Sequence, residues 1–257
     1  MQLPWLKKYN LLIFDEIDST NSEAIRLIKS GVYGDFLIWA QSQTSGRGRQ
    51  NRTWISGVGN LYISLLLNRD IPINKQPQLS FLSSIAVHDT ISYLARGTEI
   101  TPQIKLKWPN DVLVNSKKIS GILLESMKMN ERNHLVIGIG INLENCPNLL
   151  SQETTCLINE KIIYRDIGQV LNLFMHYFDK HYAYWSKRGF LKIRRLWLSK
   201  AINLNQVVTV DNGVDRISGV FKDIDLNGNM RLQISSGQIC SFGAGDVFFT
   251  KEEDILG

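Results

Sequence analysis

Apolar and polar positions alternate along this chain with two periods, and the switches between them mark strands and helices. Residues 11–14 form a short apolar run suited to a strand, and Ala24, Leu27 and Ile28 then fall at helical spacing. Ahead of that stripe, Thr20-Asn21-Ser22-Glu23 has the spacing of a capping box, and Gly31 stands where the helix would end. Residues 36–40 and 61–67 read as strands, separated by a polar loop over 42–53. Leu82, Ile85, Ala86 and Tyr93 put the inward face on a helix over 79–94. The middle of the chain is strand-rich, at 105–108, 112–114, 119–127 and 134–141, with turns at Pro109-Asn110 and Lys117-Lys118. Asp166 then opens a long helix carrying Ile167, Val170, Leu171, Phe174 and Phe178 as its stripe, and 190–198 reads as another.

After Asn205 the texture changes. Strand candidates at 207–210, 216–223, 230–234 and 238–242 are separated by Asn212-Gly213, Asn227-Gly228 and Ser236-Gly237, all strong turn signals. Some fifty residues of this kind suit a small β-barrel appended to a larger unit. The spacing predicts a boundary near 203, with one domain over 1–203 and a second over 204–257.

Composition narrows the class without naming it. At 257 residues, 44% hydrophobic and 21% charged, the chain can bury a full core and reads as a soluble globular protein. Its longest apolar run, around 61–67, is too short to cross a bilayer, and residues 1–5 lack the pattern of a signal peptide. Cys146, Cys156 and Cys240 are odd in number and show no close pairing, which argues against a disulfide framework and for a reducing compartment, the cytoplasm. A net charge of +5 invites a nucleic-acid partner. The basic residues are nevertheless spread out, apart from Arg47, Arg49 and Arg52 in one loop and a solvated-looking helix face over 187–200. A nucleotide or another small anion suits the loop better.

Three segments carry chemistry. In Gly46-Arg47-Gly48-Arg49-Gln50-Asn51-Arg52-Thr53-Trp54, glycines permit close backbone approach and arginines offer planar, multidentate donors for phosphate or carboxylate. Trp54 could close over a flat group, and the loop would stay mobile until a ligand neutralises it. A solvated basic loop or an RNA-binding segment fits the same composition. In the second segment, the Pro109-Asn110-Asp111 and Lys117-Lys118 turns flank one short strand. A hairpin there would bring the Asp111 carboxylate and the Lys118 ammonium to one pocket edge, although a surface hairpin with a charged turn has the same spacing. The third, Gly138-Ile139-Gly140-Ile141-Asn142, lacks the third glycine of a dinucleotide fingerprint and marks tight packing or close ligand approach. No phosphate-binding Gly-x-x-x-x-Gly-Lys-Ser/Thr loop occurs, and the four histidines show no metal-ligand spacing, so metal ligands stay unassigned.

Taken together these segments resemble the biotin protein ligase family. The motifs occur in order: Ser19-Thr20-Asn21, Gln43 with Gly46-Arg47-Gly48-Arg49, Lys107-Trp108-Pro109-Asn110-Asp111, Lys118 with Gly121-Ile122-Leu123, then Gly138 to Asn142. The resemblance implies an α+β fold, a mixed sheet flanked by helices of the class II aminoacyl-tRNA synthetase-like kind, with a C-terminal SH3-like β-barrel. It implies ATP-dependent activation of biotin, with Mg2+, to biotinyl-5'-AMP. Biotin would then pass to a lysine on the biotin carrier domain of acetyl-CoA carboxylase or another carboxylase. Lys118 and Arg47 would stabilise charge in the first step, and Asp111 would orient or deprotonate the acceptor lysine. By the same resemblance Ser19, Thr20, Asn21, Gln43 and Gly121 would contact biotin, Gly48 and Arg49 the acyl-phosphate, and Trp54, Asn110 and Asn142 the nucleotide. A lipoate ligase or octanoyl transferase, or a homologue that binds biotin or nucleic acid without turnover, is the alternative.

Gln50-Asn51 departs from the arginine–glycine common in the family, which predicts a less basic and less flexible loop. Gly243-Ala244-Gly245-Asp246-Val247 departs as well, and is expected to lie outside catalysis. A first catalytic strand near Leu11 leaves no room for the DNA-binding domain of repressor relatives, so no DNA partner is expected. An open strand edge could pair with a second copy or with the acceptor.

Overall fold

The computed structural model describes residues 4–98, 101–147 and 153–249. Seven strands form one sheet: β1 (Asn10–Ile17), β2 (Phe36–Gln43), β3 (Leu61–Leu67), β4 (Ile104–Lys107), β5 (Asp111–Val114), β6 (Lys117–Met129) and β7 (Arg132–Ile141). Their order is β1-β2-β3-β7-β6-β5-β4, parallel only between β1 and β2 and antiparallel elsewhere, so the sheet is mixed. The parallel pair needs a crossover, and α1 (Thr20–Lys29) supplies it. Every side chain of the central β3 is buried, which is why it reads as an unbroken apolar run. Its alternate positions serve two faces. Ile63, Leu65 and Leu67 join the main core, while Leu66 packs with Ala24, Ile28, Ile38 and Val136 under α1.

The main-core face is covered by α2 (Gln78–Leu94), α3 (Ile167–Arg188) and α4 (Leu191–Lys200). Asp166 caps α3 by accepting from the Gln169 N–H at 2.7 Å, as its position suggested. The helix α2 is buried nearly all round, between sheet and helices. Tyr93, expected inward, is 43% exposed, because Ile91 and Leu94 fill the last turn's inner face. Between these helices Asp89 links His88 Nδ1 (3.1 Å) and His181 Nε2 (2.8 Å), with Lys200 beside them. Burial pulls the Asp89 carboxyl up, but the two histidines hold it well below the ordinary range.

The C-terminal strands are β8 (Val207–Asp211), β9 (Arg216–Ile224), β10 (Met230–Gln233), β11 (Ile239–Phe242) and β12 (Asp246–Phe249). They make a five-stranded antiparallel sheet, β11-β10-β9-β8-β12. Among the described residues this antiparallel sheet is what is seen of the small β-barrel expected from the sequence, and no ladder joins β11 to β12. The strand β12, absent from the sequence reading, pairs with β8. This unit is joined to the larger one through shared core. Trp108 Nε1 donates to Gly228 O at 3.0 Å, Gln78 Nε2 donates to Leu226 O at 2.8 Å, and Arg194 pairs with Asp223. Gly228 sits at φ 87° with the Phe81 ring 2.6 Å from where a Cβ would stand, so turn and packing both require glycine there. Phe81 in turn lies edge-on to Phe190 and Trp197.

Candidate active site

A cavity of about 290 Å³ opens where the β1–α1 turn, the 46–54 loop, strands β4–β7 and the start of β12 meet. Five cationic side chains (Arg47, Arg49, Arg52, Lys107 and Lys118) and two carboxylates (Asp111 and Asp246) line it. At one end the lining is neutral and polar. The hydroxyl of Ser64 on β3 sits between Thr20 Oγ1, at 2.7 Å, and the amide oxygen of Asn21. Gln43 Oε1 accepts from the Thr20 N–H at 2.9 Å and from its hydroxyl at 3.2 Å. The first turn of α1 is therefore satisfied from β2, and the expected capping box does not form. Ser19 is the N-cap, without a side-chain cap, and Glu23 turns to Arg26 at 2.6 Å. Thr20 is already engaged by Gln43 and Ser64, so its hydroxyl is not available as a cap.

Glu125 joins this end to the cationic one. Its Oε2 accepts from Asn21 Nδ2 and Arg47 Nη2, each at 2.7 Å. Asn21 also lies against Gly138, where any Cβ would collide with its amide. Asn110 accepts from Arg49 Nη1 at 3.3 Å and donates through Nδ2 to Ile122 O at 2.7 Å, fixing the 109–111 turn to β6. The peptide bond before Pro109 is cis.

Lys118 and Asp111 meet as the hairpin reading anticipated, with Nζ 2.7 Å from Oδ1. The contact lacks hydrogen-bond angles, since Asp111 Oδ1 has no hydrogen-bond partner among the described residues. The pair is thus close but not locked. The ammonium also stands 5.5 Å from the Trp54 ring centroid. Across the β4–β5 ladder Lys107 faces Asp111. Burial pushes the Lys107 ammonium below its ordinary range and Lys118 adds to that, while Asp111 opposes it. Burial likewise lowers Arg49, against the pull of Asp246 and Asp111.

The 46–54 loop, expected to be mobile, folds here as an irregular hairpin. Gly48 N donates to Arg52 O at 2.7 Å, Trp54 N to Gly46 O at 2.9 Å, and Ser56 Oγ to Trp54 O at 2.8 Å. Gln50 and Asn51 occupy left-handed backbone at φ 53° and 58°, conformations that favour glycine. The indole of Trp54 lies on Gly121 and Gly140, which are register partners on β6 and β7; a Cβ at Gly140 would stand 2.5 Å from it.

Of the residues singled out from sequence, Ser19, Thr20, Asn21, Gln43, Arg47, Gly48, Arg49, Trp54, Asn110, Asp111, Lys118 and Gly121 line the one cavity. Asn142 does not. It is buried just past the end of β7, its Nδ2 donating to Thr155 O at 3.0 Å. Lys107, Glu125, Arg52 and Asp246 join the site without having been given roles. The segment expected to lie outside catalysis reaches the loop, the Asp246 carboxylate pairing with Arg52 while Gly245 O accepts from Arg49 Nη1 at 3.5 Å. The reason is β12, which pairs with β8 and brings its first residue to the cavity mouth. Among the described residues no group of three or more His, Cys, Asp or Glu side chains could hold a metal ion.

The chain belongs to the biotin/lipoate A/B protein ligase family, whose model matches residues 13–142. Within it, the chain is 33% identical over 238 residues to the biotin–[acetyl-CoA-carboxylase] ligase of Paracoccus denitrificans, covering 90% of this chain and 97% of that one. It is 34% identical over 237 residues to the bifunctional ligase/repressor BirA of Bacillus subtilis (strain 168), covering 89% and 70%. Among solved structures, the biotin protein ligase of Aquifex aeolicus in complex with biotin and ATP superposes with a TM-score of 0.76 at 28% identity, over 93% of this chain and 97% of that one.

Proposed function

We propose that this protein is an ATP-dependent biotin–protein ligase. The carrying observation is the single cavity with a neutral amide and hydroxyl end, Thr20, Asn21 and Gln43, and a strongly cationic end, Arg47, Arg49, Lys107 and Lys118. The neutral end suits a ureido ring, which needs paired donors and acceptors. The cationic end suits a carboxylate meeting a triphosphate, where like charges must be brought together. An oxygen of the biotin carboxylate attacks the α-phosphorus of ATP, pyrophosphate leaves, and biotinyl-5'-AMP forms. The neutral amine of the acceptor lysine then attacks the acyl carbon, and AMP leaves. Magnesium accompanies the ATP and offsets its charge.

Lys118 and Arg47 stabilise the charge developing at the α-phosphate, and Arg49 with Gly48 holds the mixed anhydride. Asp111 receives the proton of the acceptor lysine or aligns its nitrogen; its Oδ1 stands 2.7 Å from Lys118 Nζ and has no hydrogen-bond partner among the described residues. Trp54 and Asn110 border the nucleotide, and Asn142 supports the strand behind it. The acceptor is the biotin carrier domain of a carboxylase such as acetyl-CoA carboxylase. The edge strand β1 offers unpaired backbone where the carrier or a second copy of the chain could add a strand. No helix among the described residues is long and apolar enough to cross a membrane, and we place the reaction in the cytoplasm. Residues 1–203 form the catalytic domain in this reading and 204–257 an appended SH3-like one.

Incubation with biotin, MgATP and a biotin carrier domain tests this, reading pyrophosphate release and carrier mass. Biotin-dependent release with a biotinylated carrier is expected. Release with lipoate alone, or none with either acid, would overturn it.

A further inference from the structure

Two thiols ten residues apart in sequence meet beside the site. Cys146 follows β7, and Cys156 lies in the segment that folds back along it. Leu157 N donates to Asn142 O at 3.2 Å and Ile158 N to Leu143 O at 3.0 Å. Cys156 is fully buried, and its Sγ donates to Glu144 O at 3.3 Å. Cys146 is half-buried, and its Sγ accepts from Asn159 Nδ2 at 3.3 Å. Asn159, whose side chain donates to Cys146, sits in the tight turn that Cys156 opens, closed by Glu160 N donating to Cys156 O at 3.2 Å, and Cys146 is among the groups that act on the Cys156 thiol. The sequence showed only distant cysteines; the fold-back juxtaposes two of them.

The same segment grips the cationic end of the cavity. Lys118 N donates to Glu153 O at 2.9 Å, and Thr155 N donates to Lys118 O at 2.8 Å. Lys118 is thus held on both sides of its backbone by residues immediately before Cys156.

We propose that Cys146 and Cys156 form a reversible disulfide with a low-molecular-weight disulfide, such as oxidised glutathione, as oxidant, and that the bond slows acid activation by shifting the segment that holds Lys118. The slowing rests on the ligase reading above; the disulfide does not. The accessible Cys146 thiolate attacks one sulfur of the oxidant, giving a mixed disulfide and releasing the first thiol. The Cys156 thiolate then attacks the Cys146 sulfur, forming the Cys146–Cys156 bond and releasing the second. The cysteines lose two electrons, the oxidant's S–S bond gains them, and the two cysteine protons leave with the two thiols. Burial pushes the Cys156 thiol up, which gives Cys146 the first attack. A disulfide would tie the turn that Cys156 opens to the end of the 142–146 segment and take the Cys156 sulfur away from the carbonyl it now contacts, pulling on the residues that hold Lys118. Glu144 O loses its thiol donor at the same time.

The test treats the full chain with oxidised glutathione, blocks free thiols, and maps peptides without reduction. A peptide linking 146 to 156 is expected in the parent and in Cys240→Ser, and lost in Cys146→Ser and Cys156→Ser. Biotin-dependent pyrophosphate release should fall about tenfold and return with dithiothreitol, given that a displacement near 1 Å costs up to about 100-fold. Glutathione confined to Cys146, or links only through Cys240, overturns the pairing. A linked peptide with an unchanged rate overturns the control of Lys118. A reduced chain that releases no pyrophosphate overturns the ligase reading and the slowing with it, while the linked peptide still decides the pairing.

Discussion

Replacing Lys118 by alanine removes the cation that the proposed mechanism sets at the α-phosphate. Its Nζ is 2.7 Å from Asp111 and 17% of its side chain is exposed, so it is largely desolvated yet not locked in a hydrogen bond. Losing one such preorganised charge costs about 3 kcal/mol of transition-state stabilisation. At about 1.4 kcal/mol per decade, adenylate formation should slow by roughly 150-fold. The fold should lose about 1–3 kcal/mol, less than the roughly 3–5 kcal/mol typical when a buried pair is broken, because Lys107 and Arg49 still offset the Asp111 charge. Single-turnover formation of biotinyl-5'-AMP from biotin and MgATP measures the first step. Transfer from pre-formed adenylate to a carrier domain measures the second, and should change less than about threefold. Lys118→Arg keeps the charge and should recover part of the first rate. A fall in adenylation of less than about threefold, or equal falls in both steps, would refute this role.

Gly138→Ala puts a Cβ into the Asn21 amide, which lies 2.7 Å from Glu125. Biotin binding by calorimetry should weaken by roughly 5- to 30-fold as a buried polar contact is lost, and an unchanged Kd would separate Asn21 from biotin. Asp246→Ala removes the largely exposed pair with Arg52, worth only about 0.5–1 kcal/mol after screening; adenylate should dissociate roughly two- to fivefold faster, as a chase experiment would show. Lys107, held low by burial, loses its charge at a lower pH than an ordinary lysine, so KM for ATP should rise with pH before the usual lysine range. In that window the unfolded chain binds the extra proton, so this group's contribution to stability rises with pH; Lys107→Met should flatten both profiles. Asp89→Asn breaks the link between α2 and α3 and should lower stability by about 2 kcal/mol, a Tm fall of roughly 4–8 °C, with kcat unchanged. The contribution of Asp89, whose carboxyl is held low, is fully present above the ordinary carboxylate range and is lost as pH falls from that range through the lowered pKa of the folded state, so the wild-type advantage should vanish only in strong acid.

Much of this fold is legible because its signals are local. The apolar run over 61–67 coincides with β3, and Asp166 begins α3 where its cap predicts. The Lys118–Asp111 contact follows from two turns around one strand, a geometry that spacing alone can convey. Three features lie beyond such reading. Thr20 looks like a cap until Gln43 and Ser64, distant in sequence, engage it. Asp246 looks peripheral until β12 pairs with β8 and carries it to the cavity. The glycines of β6 and β7 mark close approach of something, but only register shows that Gly121 and Gly140 stand opposite each other under one indole. Each turns on a long-range pairing that no window of the sequence contains.

The seam between the two sheets bears on how the chain comes apart. Trp108, Phe81 and Gln78 of the larger unit bind or pack against the 226–228 turn of the smaller one. Val208, Val210, Phe221 and Leu232 belong to the same buried cluster as Phe174 and Leu65. Cooperativity should therefore be global: denaturant would melt both sheets in one transition, with coincident curves from probes placed in either. Severing the chain near 203 would uncover the Phe81 ring that packs on the Gly228 turn, leaving a remnant prone to aggregate rather than a minimal enzyme.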